Sequence, residues 1–285
     1  MKLLIEHNGG LGDAILDTAF LKKLKQKHPE YEIDLFTYFY NAEIFYSASY
    51  LKTIIPAPKN YNHINISDQL KNKYDKHICI TGLLGWAFFT KQKTLFQQRS
   101  ELYNIDASPD DMEILLDNDK LPDDILKDFE TSVVFSAPKN EPTMSGKTIH
   151  KKVWEQIFDT YKDIVFVQIG SKDYDLEFDL RDNVISLMDQ ISIRQALSTI
   201  PLVSFVIGCD NFLNHASRVF KKKGLFLWGA NDPKQYGWEQ NINLYNKKHC
   251  SPCLTSHKDN TCCFAEGIDN IPFNEIKNAI KELIS

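Results

Sequence analysis

The stretch Lys2-Leu3-Leu4-Ile5-Glu6-His7-Asn8-Gly9-Gly10-Leu11-Gly12-Asp13-Ala14-Ile15 decides how this chain is read. Lys2 to Glu6 is a short apolar run and His7 to Gly12 is rich in glycine. From Asp13 onward, Ala14, Ile15, Thr18, Leu21 and Leu24 fall on one helical face. Pro29 closes that helix, and Glu32 to Tyr38 reads as a second strand, giving a strand-helix-strand unit of the parallel-sheet kind. Glycines between a strand and a helix let the backbone approach a bound group, and free N–H groups at a helix N-terminus favour an anion. A loop at the carboxyl end of a parallel strand faces the usual ligand crevice. The spacing is neither Gly-x-Gly-x-x-Gly nor a phosphate-binding Gly-Lys-Ser/Thr loop, so Gly9, Gly10 and Gly12 do not name a ligand by themselves.

The same alternation continues along the chain. Ala42 to Ser47 and Ser49 to Thr53 read as short helical pieces, Lys76 to Thr81 as a strand and Leu83 to Gln92 as a helix. Between Asp106 and Glu130 the sequence turns acidic and is broken by Pro109 and Pro122, which marks a domain boundary. A second series opens at Ser132-Val133-Val134-Phe135. It runs through a helix at Val153 to Tyr161, strands at Ile164 to Ile169 and Val184 to Leu187, and a helix at Ser192 to Ile200. A strand at Phe205 to Gly208, a helix near His215 to Phe220 and a strand at Gly224 to Trp228 follow. An amphipathic helix from Asn274 to Leu283 ends the chain. The expectation is an α/β protein of two domains, 1–128 and 129–285, the second carrying a Cys-rich loop at 249–263.

Composition narrows the classes. With 285 residues, two domains of ordinary size are the natural division, and 43% hydrophobic content supplies two cores. The balance of 33 Lys+Arg against 38 Asp+Glu, a net charge of -5, opposes a broad electrostatic footprint for nucleic acid. The apolar runs are strand-length, too short to span a bilayer, and Glu6, His7 and Asn8 interrupt the start of any export signal. A cytoplasmic protein is expected, with peripheral membrane contact left open.

Three groups of residues can carry chemistry. Asp13 stands in the first turn of a helix, where an acid either complements the dipole and caps the helix or acts as a base. In Val206-Ile207-Gly208-Cys209-Asp210-Asn211-Phe212-Leu213-Asn214-His215, an apolar strand delivers Asp210 to its end, and His215 follows near a helix start. Such a turn can offer N–H groups and an imidazole to a phosphate, or Asp210 can simply cap the helix while His215 packs beneath the loop. Cys250 and Cys253, followed by Cys262 and Cys263, supply four thiols with His249 and His257 in the same loop, a donor set suited to structural zinc or iron as well as to unliganded thiols.

At this point a family resemblance emerges. Gly10-Leu11-Gly12-Asp13-Ala14-Ile15-Leu16, continued through Leu21, Leu24, His28-Pro29 and Glu32-Ile33-Asp34-Leu35, resembles the N-terminal signature of glycosyltransferase family 9, the lipopolysaccharide heptosyltransferases. Tyr74-Asp75, Thr81-Gly82-Leu83-Leu84, Lys152-Val153-Trp154, Ser192 to Leu197, Leu227 to Pro233 and Cys250-Ser251-Pro252-Cys253 are similar to further family segments in the same order. The resemblance implies two facing Rossmann-like domains of the GT-B type, an acceptor-binding one and a nucleotide-sugar-binding one, with the active site in the cleft between them. It implies inverting transfer of a sugar from a nucleotide diphosphate donor, ADP-heptose as the first candidate, to a saccharide or glycolipid hydroxyl in surface-glycan assembly, without a catalytic metal. Asp13 would be the catalytic base. Lys152, Asp210, Asn211, Phe212 and His215 would hold the donor. Phe212 stands where the family commonly has glycine, and Gly85 where an arginine is often found. Two further readings are a glycosyltransferase acting on protein or modified DNA bases, and a nucleotide-sugar binder without catalysis.

Overall fold

The computed structural model describes residues 1–58, 68–80, 93–116, 131–139, 145–179, 181–249, 251, 268 and 270–285. The expected domain boundary at 128/129, the expected helix Leu83 to Gln92, and Cys250, Cys253, Cys262 and Cys263 lie outside these residues. The chain divides into two compact units, Met1–Asn118 and Asp119–Ser285.

The first unit holds β1 (Lys2–His7), α1 (Leu11–Lys27), β2 (Glu32–Tyr38), α2 (Phe39–Ala42), β3 (Thr53–Ala57), α3 (Asp68–Lys71), β4 (Lys76–Ile80) and α4 (Leu95–Tyr103). Its strands form one parallel sheet in the order β3-β2-β1-β4. β1 is inner: Leu3, Leu4, Ile5, Glu6 and His7 are all buried, as a parallel strand covered on both faces must be. α1 buries Ala14 to Leu21 and Leu24, so its second and third turns are sealed nearly all round. β3 was not foreseen, since the expected helical piece Ser49 to Thr53 is a turn leading into it. Its Pro56 is tolerated because β3 is an edge strand, where a missing N–H leaves no ladder bond unmade.

The second unit holds β5 (Ser132–Phe135), α5 (Lys151–Thr160), β6 (Val165–Gln168), β7 (Val184–Ser186), α6 (Ile193–Ser198), β8 (Phe205–Cys209), α7 (Phe212–Val219), β9 (Gly224–Trp228), α8 (Pro233–Tyr236), β10 (Ile242–Tyr245) and α9 (Phe273–Ile284). Six parallel strands run in the order β10-β9-β8-β5-β6-β7. β5, β6, β8 and β9 are buried throughout. One face of this sheet is closed by an aromatic cluster, with Phe135 4.8 Å from Trp154 and 5.3 Å from Phe158 between ring centroids. Burying a Trp and two Phe side chains contributes several kcal/mol to this core by area, at about 25 cal/mol per Å². No helix among the described residues is long and apolar enough to cross a membrane.

In each sheet the strand order reverses once. In the first unit the chain runs outward from β1 through β2 to β3, then returns to place β4 on the other side of β1. In the second it runs from β5 through β6 to β7, then returns to place β8 beside β5. At such a reversal the crossover connections diverge to opposite faces and leave a crevice at the strands' carboxyl ends.

Candidate functional site

In the first unit, the reversal between β1 and β4 is where the Asn8-Gly9-Gly10 loop leaves the sheet. Asn8 N–H donates to Ile80 O of β4 at 3.1 Å, and Asn41 Nδ2 donates to Gly9 O at 2.8 Å from the start of the segment after β2. The loop is therefore anchored from β4 on one side and from α2, which follows β2, on the other. α1 starts at Leu11, with Gly12 in its first turn, and Ala14 N–H closes onto Gly10 O at 3.0 Å. Asp13 turns back over the loop, and its Oδ2 accepts from Gly10 N–H at 3.0 Å. That fold-back needs Gly9: a Cβ there would lie 2.5 Å from Asp13 Cβ and 2.9 Å from Asp13 Oδ2. Gly10 is different, because a Cβ there would come no nearer than 3.8 Å to Asp13 Oδ2.

Asp13 remains 34% exposed at the side chain, so a ligand hydroxyl can reach it. Its other oxygen, Oδ1, lies 2.5 Å from Nη2 of the buried Arg99 of α4. Arg99 Nε lies 3.5 Å from Asp17 Oδ1, and Asp17 Oδ2 lies 3.1 Å from His7 Nε2, with Asp17 and His7 fully buried. Burial opposes the charge on Arg99, but the Asp17 and Asp13 carboxylates outweigh it and raise its proton affinity. Tyr103, packed against the same cluster, has its hydroxyl pushed well up, by burial first and by Asp17 second. Arg99 and Asp17 were not picked out from the sequence, although an acid on the apolar face of a helix calls for a buried cation.

In the second unit, the reversal between β5 and β8 carries Ser136 at the end of β5 and Asp210-Asn211 at the end of β8. Asn211 caps α7: its Oδ1 accepts from Leu213 N–H at 3.0 Å, and its Nδ2 donates to Ser136 Oγ at 3.2 Å. Ser136 Oγ donates onward to Asp175 Oδ1 at 3.2 Å, while Asp175 Oδ2 accepts from Ser171 N–H at 3.0 Å. The Asp175 carboxyl is pushed up by burial despite those bonds. Asp210 is buried, with Oδ2 3.0 Å from Lys147 Nζ and 2.5 Å from Asn231 Nδ2 at the end of β9. The loop holding Lys147 is pressed onto β9's exit, since Ala230 N–H donates to Gly146 O at 3.0 Å and a Cβ on Gly146 would lie 2.2 Å from Ala230 Cβ.

Asp210 and Asn211, proposed from the sequence for the donor side, thus meet at one point of the sheet. Phe212 opens α7 half-buried, and His215 is buried one turn further on, its ring edge-to-face with Trp238 at 5.8 Å. Lys152 is exposed on the first turn of α5, its N–H bonded to His150 Nδ1 at 3.2 Å. Lys147 stands beside Asp210, with its side chain 37% exposed. Lys147, Ser136, Asp175 and Asn231 were missed, because only the folded topology brings these separate segments to one edge. No group of three or more His, Cys, Asp and Glu side chains that could hold a metal ion is found among the described residues.

Solved structures share this architecture over nearly the whole chain. A glycosyl transferase family 9 protein from Veillonella parvula superposes with a TM-score of 0.74 at 15% identity, covering 99% of this chain and 97% of that one. The fold is that of glycosyltransferase family 9. The E. coli heptosyltransferase WaaC, solved with ADP, matches with a TM-score of 0.66 at 15% identity over 99% of this chain and all of that one. TibC, an iron-containing dodecameric glycosyltransferase from enterotoxigenic E. coli, matches with a TM-score of 0.72 at 12% identity over 99% of this chain and 76% of that one. No protein-family model and no curated protein matches the sequence. The family 9 resemblance read from the Gly10 to Leu16 segment therefore agrees with the fold.

Proposed function

We propose that this chain is an inverting glycosyltransferase that moves a heptose or related sugar from a nucleotide diphosphate donor to a hydroxyl of a saccharide or glycolipid acceptor in lipopolysaccharide or surface-glycan assembly. The observation that carries this reading is the placement of both motif loops at strand-order reversals, Asp13 in one sheet and Asp210-Asn211 in the other, in a family 9 fold. The active site would be the cleft of a GT-B arrangement, with residues 1–128 binding the acceptor and 129–285 the donor. ADP-heptose is the first candidate donor; WaaC was solved with ADP.

In this mechanism Asp13 accepts the proton of the acceptor hydroxyl as its oxygen attacks the anomeric carbon. The bond from that carbon to the diphosphate oxygen breaks on the opposite face, inverting the centre, and the nucleoside diphosphate leaves with the bonding pair. Charge grows on the leaving diphosphate, so donors fixed beside it accelerate the step as well as bind the ground state. The turn at Asp210, Asn211 and Phe212 with His215, together with Lys152, would hold that group, and Lys147 joins them on the strength of its contact with Asp210. Four thiols at Cys250, Cys253, Cys262 and Cys263 form a donor set that suits structural iron or zinc. A solved neighbour, TibC, is iron-containing. Such an ion would brace the loop; the transfer itself uses no metal.

One observation favours a second reading, a nucleotide-sugar binder without catalysis: both Asp13 oxygens are already engaged, by Gly10 N–H and by Arg99. Calorimetry and thermal shift against ADP-, UDP-, GDP- and CDP-sugars, run on the parent and on Asp13→Asn, separate the two. Binding of one donor class by both proteins with turnover only in the parent supports the transferase. Equal turnover in both sinks the base assignment, and no binding by either sinks the function.

A further inference from the structure

Asp13 is held by more than its own loop. Capping the helix uses only Oδ2, which accepts from Gly10 N–H. Oδ1 is gripped by Arg99, 86 residues along the chain and on a different helix. Asp17 lies one turn after Asp13, so both carboxylates leave the same face of α1 and share one guanidinium. Behind Asp17 stands His7, whose Nδ1 lies 3.2 Å from Thr37 Oγ1 and 3.4 Å from Asn41 Nδ2. The result is a line of charged and polar groups, His7, Asp17 and Arg99, sealed inside the unit and ending at the one member that solvent reaches, Asp13. A guanidinium buried between two acids is retained only with its partners in place. A helix cap has no use for such a construction.

We propose that Arg99 is the positioning residue of the candidate base: it holds the Asp13 carboxylate in one orientation against a fixed positive charge, while Asp17 and His7 hold Arg99 in place. This rests on reading Asp13 as the base. A carboxylate oxygen carries two lone pairs, so one hydrogen bond to it does not by itself prevent proton uptake. Among the described residues, the titratable groups around this point are Arg99 and Tyr103 of α4, Asp17 of α1 and His7 of β1, with Tyr50 beyond Tyr103.

The test is a carboxyl-carbon NMR titration of Asp13 in the whole chain, with the Asp13→Asn spectrum identifying the signal. Arg99→Met is combined with Asp17→Leu, so that neither the guanidinium nor its second carboxylate is left buried alone, and a thermal melt checks that the unit is folded. In that pair the Asp13 midpoint is expected to rise by about one to three pH units. Turnover of ADP-heptose is expected to fall about 10²-fold in kcat with the donor dissociation constant unchanged. Arg99→Lys keeps the charge without the fork, and should hold the midpoint near the parent's while recovering only part of kcat. A midpoint in the double variant equal to the parent's overturns the proposal. Full turnover by Asp13→Asn refutes the base reading instead, and the titration then still decides whether Arg99 governs Asp13.

Discussion

Asn211 Nδ2 donates to Ser136 Oγ at 3.2 Å, tying the carboxyl end of β8 to that of β5 at the place where the strand order of the second sheet reverses. One side chain thus caps α7 and spans the crevice where a donor diphosphate would lie. Asn211→Ala should cost about 1 kcal/mol of stability through the lost cap. It should also weaken ADP-heptose binding about tenfold, roughly 1.4 kcal/mol, as the turn loosens. Denaturant melts and calorimetry read the two effects separately; an unchanged affinity would show that the turn does not serve the donor.

Gly146 carries the loop that sets Lys147 beside Asp210. A side chain there runs into Ala230, so Gly146→Val should destabilise the chain by about 1–3 kcal/mol, as overpacking does. Lys147 would be displaced with the loop and donor affinity should fall. Pairing it with Ala230→Gly removes the nearest contact and should restore part of both losses. Failure of that rescue would mean the loop's position depends on something other than this packing.

Asp175 gives a pH dependence with a definite sign. Burial raises its carboxyl above the ordinary range, so the folded chain binds this proton more readily than the unfolded chain. Its contribution to stability is fully present below the unfolded value and is lost as pH rises through the folded one. Asp175→Asn cannot ionise, and in urea melts it should gain on the parent as pH rises above an ordinary Asp value near 3.9. A difference that stays flat over that window would contradict the assignment.

Cys79 is exposed at the end of β4, but its thiol is pushed up to about 11, by burial of the sulfur's surroundings first and by Glu6 second. The thiolate is the reactive form. Peptide-resolved alkylation of the folded chain should therefore be slow at Cys79 at pH 8 and rise about tenfold per pH unit up to that value. Early, complete labelling at pH 8 would place the sulfur in a different environment.

The parallel-sheet character of both units was legible because buried strands such as Lys2–His7 and Phe205–Cys209 are built on short apolar runs, Leu3 to Ile5 and Phe205 to Ile207. The Asp13 and Asp210 loops were legible because both follow such runs directly. β3 and β10 were not: they are edge strands, half exposed, with Pro56 in one and alternating asparagines around the other. α4 was missed although its signal was present, since Thr94 and Gln97 form a reciprocal capping box at its start. Missing that box hid Arg99. Lys147 could not be added to the site from sequence, because its contact with Asp210 is supplied by a segment 63 residues away in number and adjacent only after folding.

Gly9 has no side chain, and the space a Cβ would fill there is where the Asp13 side chain folds back. A methyl group at that position would leave every acid, amide and guanidinium in the chain intact and still evict the carboxylate from its seat. With Asp13 read as the base, Gly9→Ala is expected to silence transfer without removing one acid, amide or guanidinium, and so to serve as a bait for donor and acceptor.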